Sequence, residues 1–445
     1  MARLKTLIPR YEDRPIPGLP DRCYVFTNSE RNDAACPAAY RFRHIDGLRF
    51  DTTAAPLRYG TAWHDVAEAV FRWWMDNNGA RLPDALIDDT ITAVRDRWFD
   101  EAAANPNYDS SEIEPSIERL RRAWVGWVHL YGNTPPAGFD VVAVEIPLAA
   151  PVVNPDTGRP YRPTMPVTTD DNGATWRPCR TGETAAQETK VQNVRYPWYQ
   201  VGRLDAVLRH RDTGALWGWD HKTSAAPASF LKNVTVDPQS QGYVWLLEYN
   251  VRAGLFGDDP DARVGGFVFD VVSNRGQYDP AVLKNGTLST SKSKTVPSWR
   301  FTSAINALGL DPAKYTEHVL ELARVNDAKL YKREWLSVGP SDRARYGREA
   351  FAISSRLATM RRNAGRATNA ASIDLDFPRV PVCRSPGSSC SYRGPCLADG
   401  EDVRRSYVVT PGLRWVPNFP KTSAGADAPD DNNNNNPQPP ENLGW

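Results

Sequence analysis

Residues 201–224, VGRLDAVLRHRDTGALWGWDHKTS, constrain this chain more than any other stretch. Apolar residues recur on both sides of Asp212-Thr213-Gly214, which predicts a core hairpin over about 199–223. Asp205 is expected to close the first strand. The second strand, Ala215 to Trp219, delivers Asp220 and Lys222. Strand side chains alternate in direction, so Asp220 and Lys222 point to one face, and Asp205 can reach that face from the paired strand. Two carboxylates and a lysine at one end of a hairpin form a hard-cation site with a charge partner. On this reading Asp205 and Asp220 are metal ligands, and Lys222 positions an attacking water and stabilises charge on a phosphate. The arrangement suits hydrolysis of a phosphodiester by a metal-bound water.

The chain has 445 residues, 41% of them hydrophobic, with a mean hydropathy of −0.54. This fits a globular protein, and no apolar run approaches the ~20 residues that span a bilayer. The opening MARLKTLIPRYEDRPIPG lacks the apolar core of a secretory signal, and six cysteines over this length do not form a disulfide scaffold. A reducing cytoplasm is the expected compartment, with no membrane partner. The net charge of +1 gives no global argument for nucleic acid. Locally, Arg343, Arg345, Arg348, Arg356, Arg361, Arg362 and Arg366 make a basic segment, readable either as a phosphate holder or as a solvated helix face. There is no phosphate-binding Gly-x-x-x-x-Gly-Lys loop, no dinucleotide glycine pattern and no base-reading module.

Residues 1–22 read as a peripheral segment. Ser29 is a candidate cap for a helix meeting Cys36-Pro37, with Tyr40 and Phe42 packed behind it. Trp63, Val66, Ala67, Val70 and Trp74 recur at helical spacing and predict a helix over 60–77. Helices over 84–104 and 111–131 follow within a helical insertion of about 78–135, then a strand over 140–147. Residues 151–197 are rich in Pro, Thr, Gly and Asp and read as an irregular insertion or a long irregular hairpin. A helix over 239–249, a buried strand over 264–272, a loop over 284–300 and helices over 311–330 and 341–364 complete the core. The tail from 422 to 445 is expected to be disordered.

The hairpin resembles the core of the PD-(D/E)XK nucleases, and in particular their RecB-like branch. Gly60-Thr61-Ala62-Trp63-His64 resembles that branch's histidine motif at a helix start, and Gln239-Ser240-Gln241-Gly242-Tyr243 resembles its Gln-x-x-x-Tyr motif. The resemblance implies a restriction-endonuclease-like α/β fold, a mixed central sheet flanked by helices, over residues 23–400. It makes His64 a third metal ligand and the His221 backbone carbonyl a further one, and it gives Gln239 and Tyr243 a place supporting the site and contacting the DNA strand. Mg²⁺ suits the carboxylates, and the imidazole shifts the balance toward Mn²⁺. Glu68, one turn after His64, is read either as orienting the imidazole or a water or as capping a charged neighbour. Glu145 is read as supporting the ligands from the preceding strand, and Arg203 as either a phosphate contact or a surface residue.

One early cysteine, Cys36, and a late cluster, Cys383, Cys390 and Cys396, resemble the iron–sulfur nucleases of this branch, of the AddB and CRISPR-associated types. The resemblance implies a [4Fe–4S] cluster stapling the two ends of the nuclease domain. Structural Zn²⁺ is the alternative, and Cys23 is a substitute for Cys36. Cys179 reads as a free thiol. The six-residue gap between Cys383 and Cys390 departs from the two-residue gap of the branch's terminal motif. The chain thus reads as a metal-dependent exonuclease on single-stranded or end-exposed DNA, serving recombination, repair or replication. A helicase or recombinase would act in trans, and the free-standing arrangement resembles nucleases of bacteriophage genomes. The alternatives are a structure- or site-directed endonuclease of the same fold and a catalytically idle DNA-binding scaffold.

Overall fold

The computed structural model describes residues 16–20, 23–50, 55–104, 108, 110–168, 177–179, 191–232, 234, 237–257, 262–291, 295–366, 377–378, 392, 396 and 407–409. In chain order the first elements are β1 (Tyr24–Phe26), α1 (Asn28–Asp33), α2 (Pro37–Tyr40), β2 (Leu48–Phe50), α3 (Ala55–Asp76), α4 (Leu86–Ala104) and α5 (Ile113–Tyr131). Then come β3 (Phe139–Pro151), β4 (Thr164–Thr168), β5 (Arg177–Pro178), β6 (Val191–Arg195), β7 (Trp198–His210), β8 (Leu216–Ser224), α6 (Pro227–Leu231) and α7 (Pro238–Arg252). The last are β9 (Val264–Ser273), α8 (Ser298–Ala307), α9 (Thr316–Leu322), α10 (Ala328–Leu330), β10 (Tyr331–Leu336), α11 (Pro340–Arg366) and β11 (Tyr407–Val409).

The central sheet runs β1-β7-β8-β9-β10, with β3 on the other edge of β7. It is a mixed sheet: β1 with β7 and β8 with β9 are parallel, and the remaining pairs are antiparallel. The antiparallel turn between β7 and β8 is closed by Gly214 at φ +69°, a backbone state that glycine reaches at little cost. The parallel step from β8 to β9 crosses over through α6 and α7. One face of the sheet is covered by α3, α4 and α5. Their Trp63, Trp74, Trp124 and Trp127 pack with Ala206, Leu208, Trp219 and Val268. The other face is covered by α7 and α11, where Val244, Leu246 and Leu247 pack with Leu204, Val207, Phe267 and Phe269. Each fully buried side chain of this size contributes roughly 1.5–3 kcal/mol, so these two faces dominate the stability of the fold. No helix among the described residues is long and apolar enough to cross a membrane.

Several expectations need correction. Asp205 does not close a strand but sits inside β7. The helix carrying His64 begins at Ala55, so the glycine motif lies within it and not at its start. Thr27, not Ser29, caps α1, accepting from the Glu30 N–H. The insertion is not wholly irregular, because β4, β5 and β6 form a small sheet there. Leu288 and Val296 are buried, and α8 begins at Ser298, so 284–300 is not simply a loop. Strands β1, β2, β10 and β11 were not foreseen; all are short. The tail from 422 lies outside the described residues.

The basic segment on α11 is not a free phosphate holder throughout. Arg343 pairs with Glu248 at 3.2 Å and Arg345 with Asp342 at 3.0 Å. Arg361 is buried and bonds Glu30 on α1 and the Tyr40 hydroxyl, which itself donates to Glu30. This charge pair, shielded from water, ties the N-terminal helices to the last long one. Removing one member of such a pair leaves an uncompensated buried charge. Glu30→Ala is expected to lower unfolding free energy by roughly 3–5 kcal/mol, read as an earlier urea midpoint with an unchanged slope.

Candidate active site

The edge of β7 facing β1 and β8 is shared between them. The β1 ladder ends at Gln200, and the β8 ladder begins at Ala206. Asp205 stands in the fork, next to the first β8 pair. Its Oδ2 accepts a hydrogen bond from the His221 backbone N–H at 2.6 Å and faces His64 Nδ1 at 3.1 Å. The histidine reaches it because α3 runs close to β8. A Cβ added at Gly60 would lie 3.2 Å from Thr223 Oγ1, a tight contact to which the threonine side chain would have to yield. On β8, Asp220 is buried and holds Lys222 Nζ at 2.5 Å. The hairpin and α3 thus bring Asp205, Asp220, Lys222 and His64 to one place.

Glu145 joins them. Its neighbours Val144 and Ile146 pair with Ala206 and Leu204, so it lies opposite Asp205 in the β3–β7 ladder. Its φ is +51°, a left-handed value that costs a non-glycine residue about 1 kcal/mol or more. Ligand atoms of His64, Glu145 and Asp205 all lie within 4.8 Å of one another. Arg203 Nε holds Glu145 Oε2 at 2.8 Å, so this arginine is engaged in the site and is not a bare surface residue. Sequence reasoning gave Glu145 only a supporting place. Its local signal is an acid in an otherwise apolar strand, and the left-handed backbone that turns it inward has no signature in Val144-Glu145-Ile146.

Charges are strongly coupled here. Burial pushes the Asp205 carboxyl up, but His64 and the neighbouring His221 and Lys222 pull it well below the usual carboxylate range. Burial lowers His64, and Asp205 more than offsets this, raising the imidazole above its ordinary value. Burial also works against the Lys222 charge, yet Asp220 and then Asp205 raise it, so the ammonium stays protonated. Burial lifts Asp220 in spite of Lys222. Glu145 rises to about 7, first through burial and then through repulsion by Asp205.

The remaining expected residues are placed as follows. The His221 side chain is buried on the opposite side of the strand, its Nδ1 facing Asp270 Oδ2 at 3.3 Å. Asp270 also accepts from Trp127 Nε1 at 2.7 Å and from Arg333. Burial pushes Asp270 up, but Arg333 and His221 bring it down to about 2. Gln239 Nε2 donates to the Tyr243 hydroxyl at 3.1 Å. The Tyr243 ring lies over Gly202, where an added Cβ would come within 3.0 Å of it. This pair therefore flanks β7 from α7 and is joined first to itself. Glu68 holds Arg72 at 2.7 Å along α3, which favours the reading as partner of a charged neighbour. Cys36 and Cys396 pack on one apolar cluster of Ala38, Phe42, Leu48 and Tyr392. Cys383 and Cys390 lie outside the described residues. Cys23 belongs to a different cluster, with Val25 and Val201, and donates to the Pro20 carbonyl at 3.3 Å, so it does not stand in for Cys36. Cys179 is buried.

The donors at the fork are carboxylate oxygens and one imidazole nitrogen, converging in a half-buried, acidic place. This set fits a divalent cation such as Mg²⁺ or Mn²⁺. Asp220 stands beside it with one oxygen on Lys222. The family model described as PD-(D/E)XK nuclease superfamily matches residues 32–396. No curated protein matches the chain.

A carboxyl raised to about 7 competes for protons with any cation it binds. Below that pH Glu145 is protonated and above it ionised, and the raised His64 imidazole must likewise lose its proton to ligate, so Mn²⁺ affinity is expected to rise by at least about tenfold between about pH 6 and 8. Calorimetric titration in buffers of different ionisation enthalpy should show proton release in that window, and Glu145→Gln should weaken binding and flatten the pH dependence.

Proposed function

The chain belongs to the PD-(D/E)XK nuclease superfamily, and from that premise we propose that it is a DNA exonuclease acting on single-stranded or end-exposed strands. As a member it is a metal-dependent nuclease with DNA as its substrate. The observation carrying the reading is the fork on β7, where Asp205, His64 and Glu145 converge beside the Asp220–Lys222 pair.

In this reading Asp205, Glu145 and His64 hold the cation, with Asp220 and the His221 carbonyl beside them. A divalent ion bound there acidifies water and offsets charge on the phosphate. The chain's own residues do the rest. Asp220 keeps Lys222 charged and aims its ammonium, which donates to a phosphate oxygen and orients the water. Asp205 fixes the tautomer and direction of the His64 ring through Nδ1. Arg203 offers a second cation at the rim. Gln239 and Tyr243, bonded to each other on α7, brace β7 and present polar atoms to the incoming strand. The exonuclease reading is supported by the ordered Gly60–His64, Asp205, Asp220–Lys222 and Gln239–Tyr243 motifs of the RecB-like branch and by the lack of a base-reading module in the sequence. A cytoplasmic role in recombination, repair or replication, in a bacteriophage setting and with a helicase or recombinase in trans, follows from the same resemblance.

We further propose that Cys36, Cys383, Cys390 and Cys396 bind a [4Fe–4S] cluster. The support is that Cys36 and Cys396, from opposite ends of the matched region, pack on the same apolar cluster. Protein purified without air is expected to be brown, with broad absorption near about 400 nm that Cys36→Ala abolishes; four thiolates suit such a cluster. A colourless protein carrying zinc would overturn it.

Digestion of 5′- and 3′-labelled single-stranded DNA tests the main reading. Asp205→Asn, Asp220→Asn and Lys222→Ala are each expected to lower kcat by about 10²-fold or more, since the first weakens the hold on the cation, the second loosens Lys222 and the third removes the positive charge aimed at the reacting phosphate. His64→Ala should mainly weaken Mn²⁺ affinity. Cleavage of sealed circles at the same rate as linear strands would favour an endonuclease. Binding without cleavage in either metal would favour an idle scaffold.

A further inference from the structure

Arginines on the helical face of the fold are almost all matched to acids. Arg72 pairs with Glu68, Arg95 with Glu114, Arg97 with Asp65, Arg121 with Asp88 and Arg122 with Glu118, at 2.5–3.0 Å. On α3, α4 and α5 the exceptions are Arg58 and Arg119, which have no carboxylate partner among the described residues. Arg58 lies over the Tyr108 ring at 4.0 Å. Arg119 faces the Tyr59 ring at 5.9 Å and donates to the Asn274 carbonyl at 3.4 Å. Both therefore flank Tyr59 at the start of α3. The next residue, Gly60, touches Thr223, the neighbour of Lys222. Asn274 N–H donates to the Ser224 carbonyl at 3.1 Å and joins the end of β9 to the end of β8. Arg275 follows it, exposed and likewise without a carboxylate partner among the described residues.

Arg119 thus lies where α3, α5 and the ends of β8 and β9 come together, with Arg275 next in the chain to the residue it bonds and Arg58 beside Tyr59 and over Tyr108. A surface arginine pairs readily with a nearby acid; on these helices the other arginines each hold a carboxylate at 2.5–3.0 Å, whereas Arg58 shares a small pocket with Glu112 without an ion pair among the described residues. A guanidinium fork matches a phosphate in shape and in charge. Tyr59 lies roughly 7.5 Å along the helix axis from His64, so a phosphate held by Arg119 is a different one from that at the fork. We propose that Arg58, Arg119 and Arg275 form a phosphate-binding rim that receives the backbone of the DNA strand leading to the site. The proposal rests on the nuclease reading and adds the path of the strand.

The test uses the full chain with a fluorescent oligothymidylate. Binding is followed by anisotropy in EDTA over a salt series, and digestion is followed in Mn²⁺. Each single-strand phosphate contact contributes about −0.7 to the slope of log K against log salt. Arg58→Gln, Arg119→Gln and Arg275→Gln are each expected to make the slope shallower by about 0.7. The triple variant should raise KM at least about tenfold and change kcat less. Arg121→Gln, from the paired set, should leave the slope and KM where they are. The rim is overturned if the triple variant keeps the wild-type slope, or if Arg121→Gln alters it equally. Should the triple variant fail to fold, Arg275→Gln alone decides, because that side chain is exposed. A wild-type chain that neither binds nor cuts DNA overturns the nuclease reading, and the rim with it. Normal cutting with an unaltered slope in the variants overturns the rim alone.

Discussion

The division of one edge of β7 between two strands is the constraint on which the site depends. A central strand wants partners on both sides, because an unpaired buried backbone group costs free energy. β3 satisfies one edge along nearly its whole length. On the other, β1 takes the start and β8 the end, and between them the ladder opens at Asp205. The Asp205 carboxylate fills part of the gap by accepting the His221 N–H. A backbone need and a candidate metal-holding carboxylate are thereby met at one point.

Burying this much charge requires compensation, and it is arranged in two tiers. At the fork, Asp205 stands against His64 and Asp220 against Lys222. On the far side of β8, the His221 ring faces Asp270, which is held ionised by Arg333 and His221 and accepts from Trp127. Arg333 also lies over the rings of Tyr131 and Trp219 at 3.8 and 4.7 Å, so the cation is covered by aromatic faces as well as paired. The rear tier holds the strand whose backbone the front tier uses. Glu145 has the weakest compensation of the set. It is left near neutrality and close to Asp205, and a cation between them relieves that repulsion.

The first helices and the last long one are brought together by a different device. Glu30, Tyr40 and Arg361 form a buried polar cluster linking α1 and α2 to α11. Nearby, Arg31 bonds Glu349 and lies over the Tyr346 ring. The Tyr346 hydroxyl meets Gln200 at 2.7 Å, at the β1 end of the divided edge. Gly242 leaves room for this cluster, since an added Cβ would lie 2.5 Å from that hydroxyl. The contacts that tie α1 and α2 to α11 therefore also pin the strand that opens the fork.

Local sequence determined a good deal. Periodicity of 3.6 and of 2 placed α3, α4, α5, α7, β3, β8 and β9, because each buries one stripe or face and the pattern of apolar residues records it. The Asp220–Lys222 alternation and the hairpin turn were legible for the same reason. The short strands β1, β2, β10 and β11 were not, since three to six residues carry too little pattern and owe their extended state to partners distant in the chain. Nor was Glu145, which takes a left-handed backbone torsion between two paired residues of β3 and reaches His64 and Asp205 only in the folded chain. The same holds for the arginines. Sequence counts them, but which ones find an acid and which are left at the rim is decided by helix packing, because ion pairing depends on distances of a few ångströms between residues that no local rule brings together.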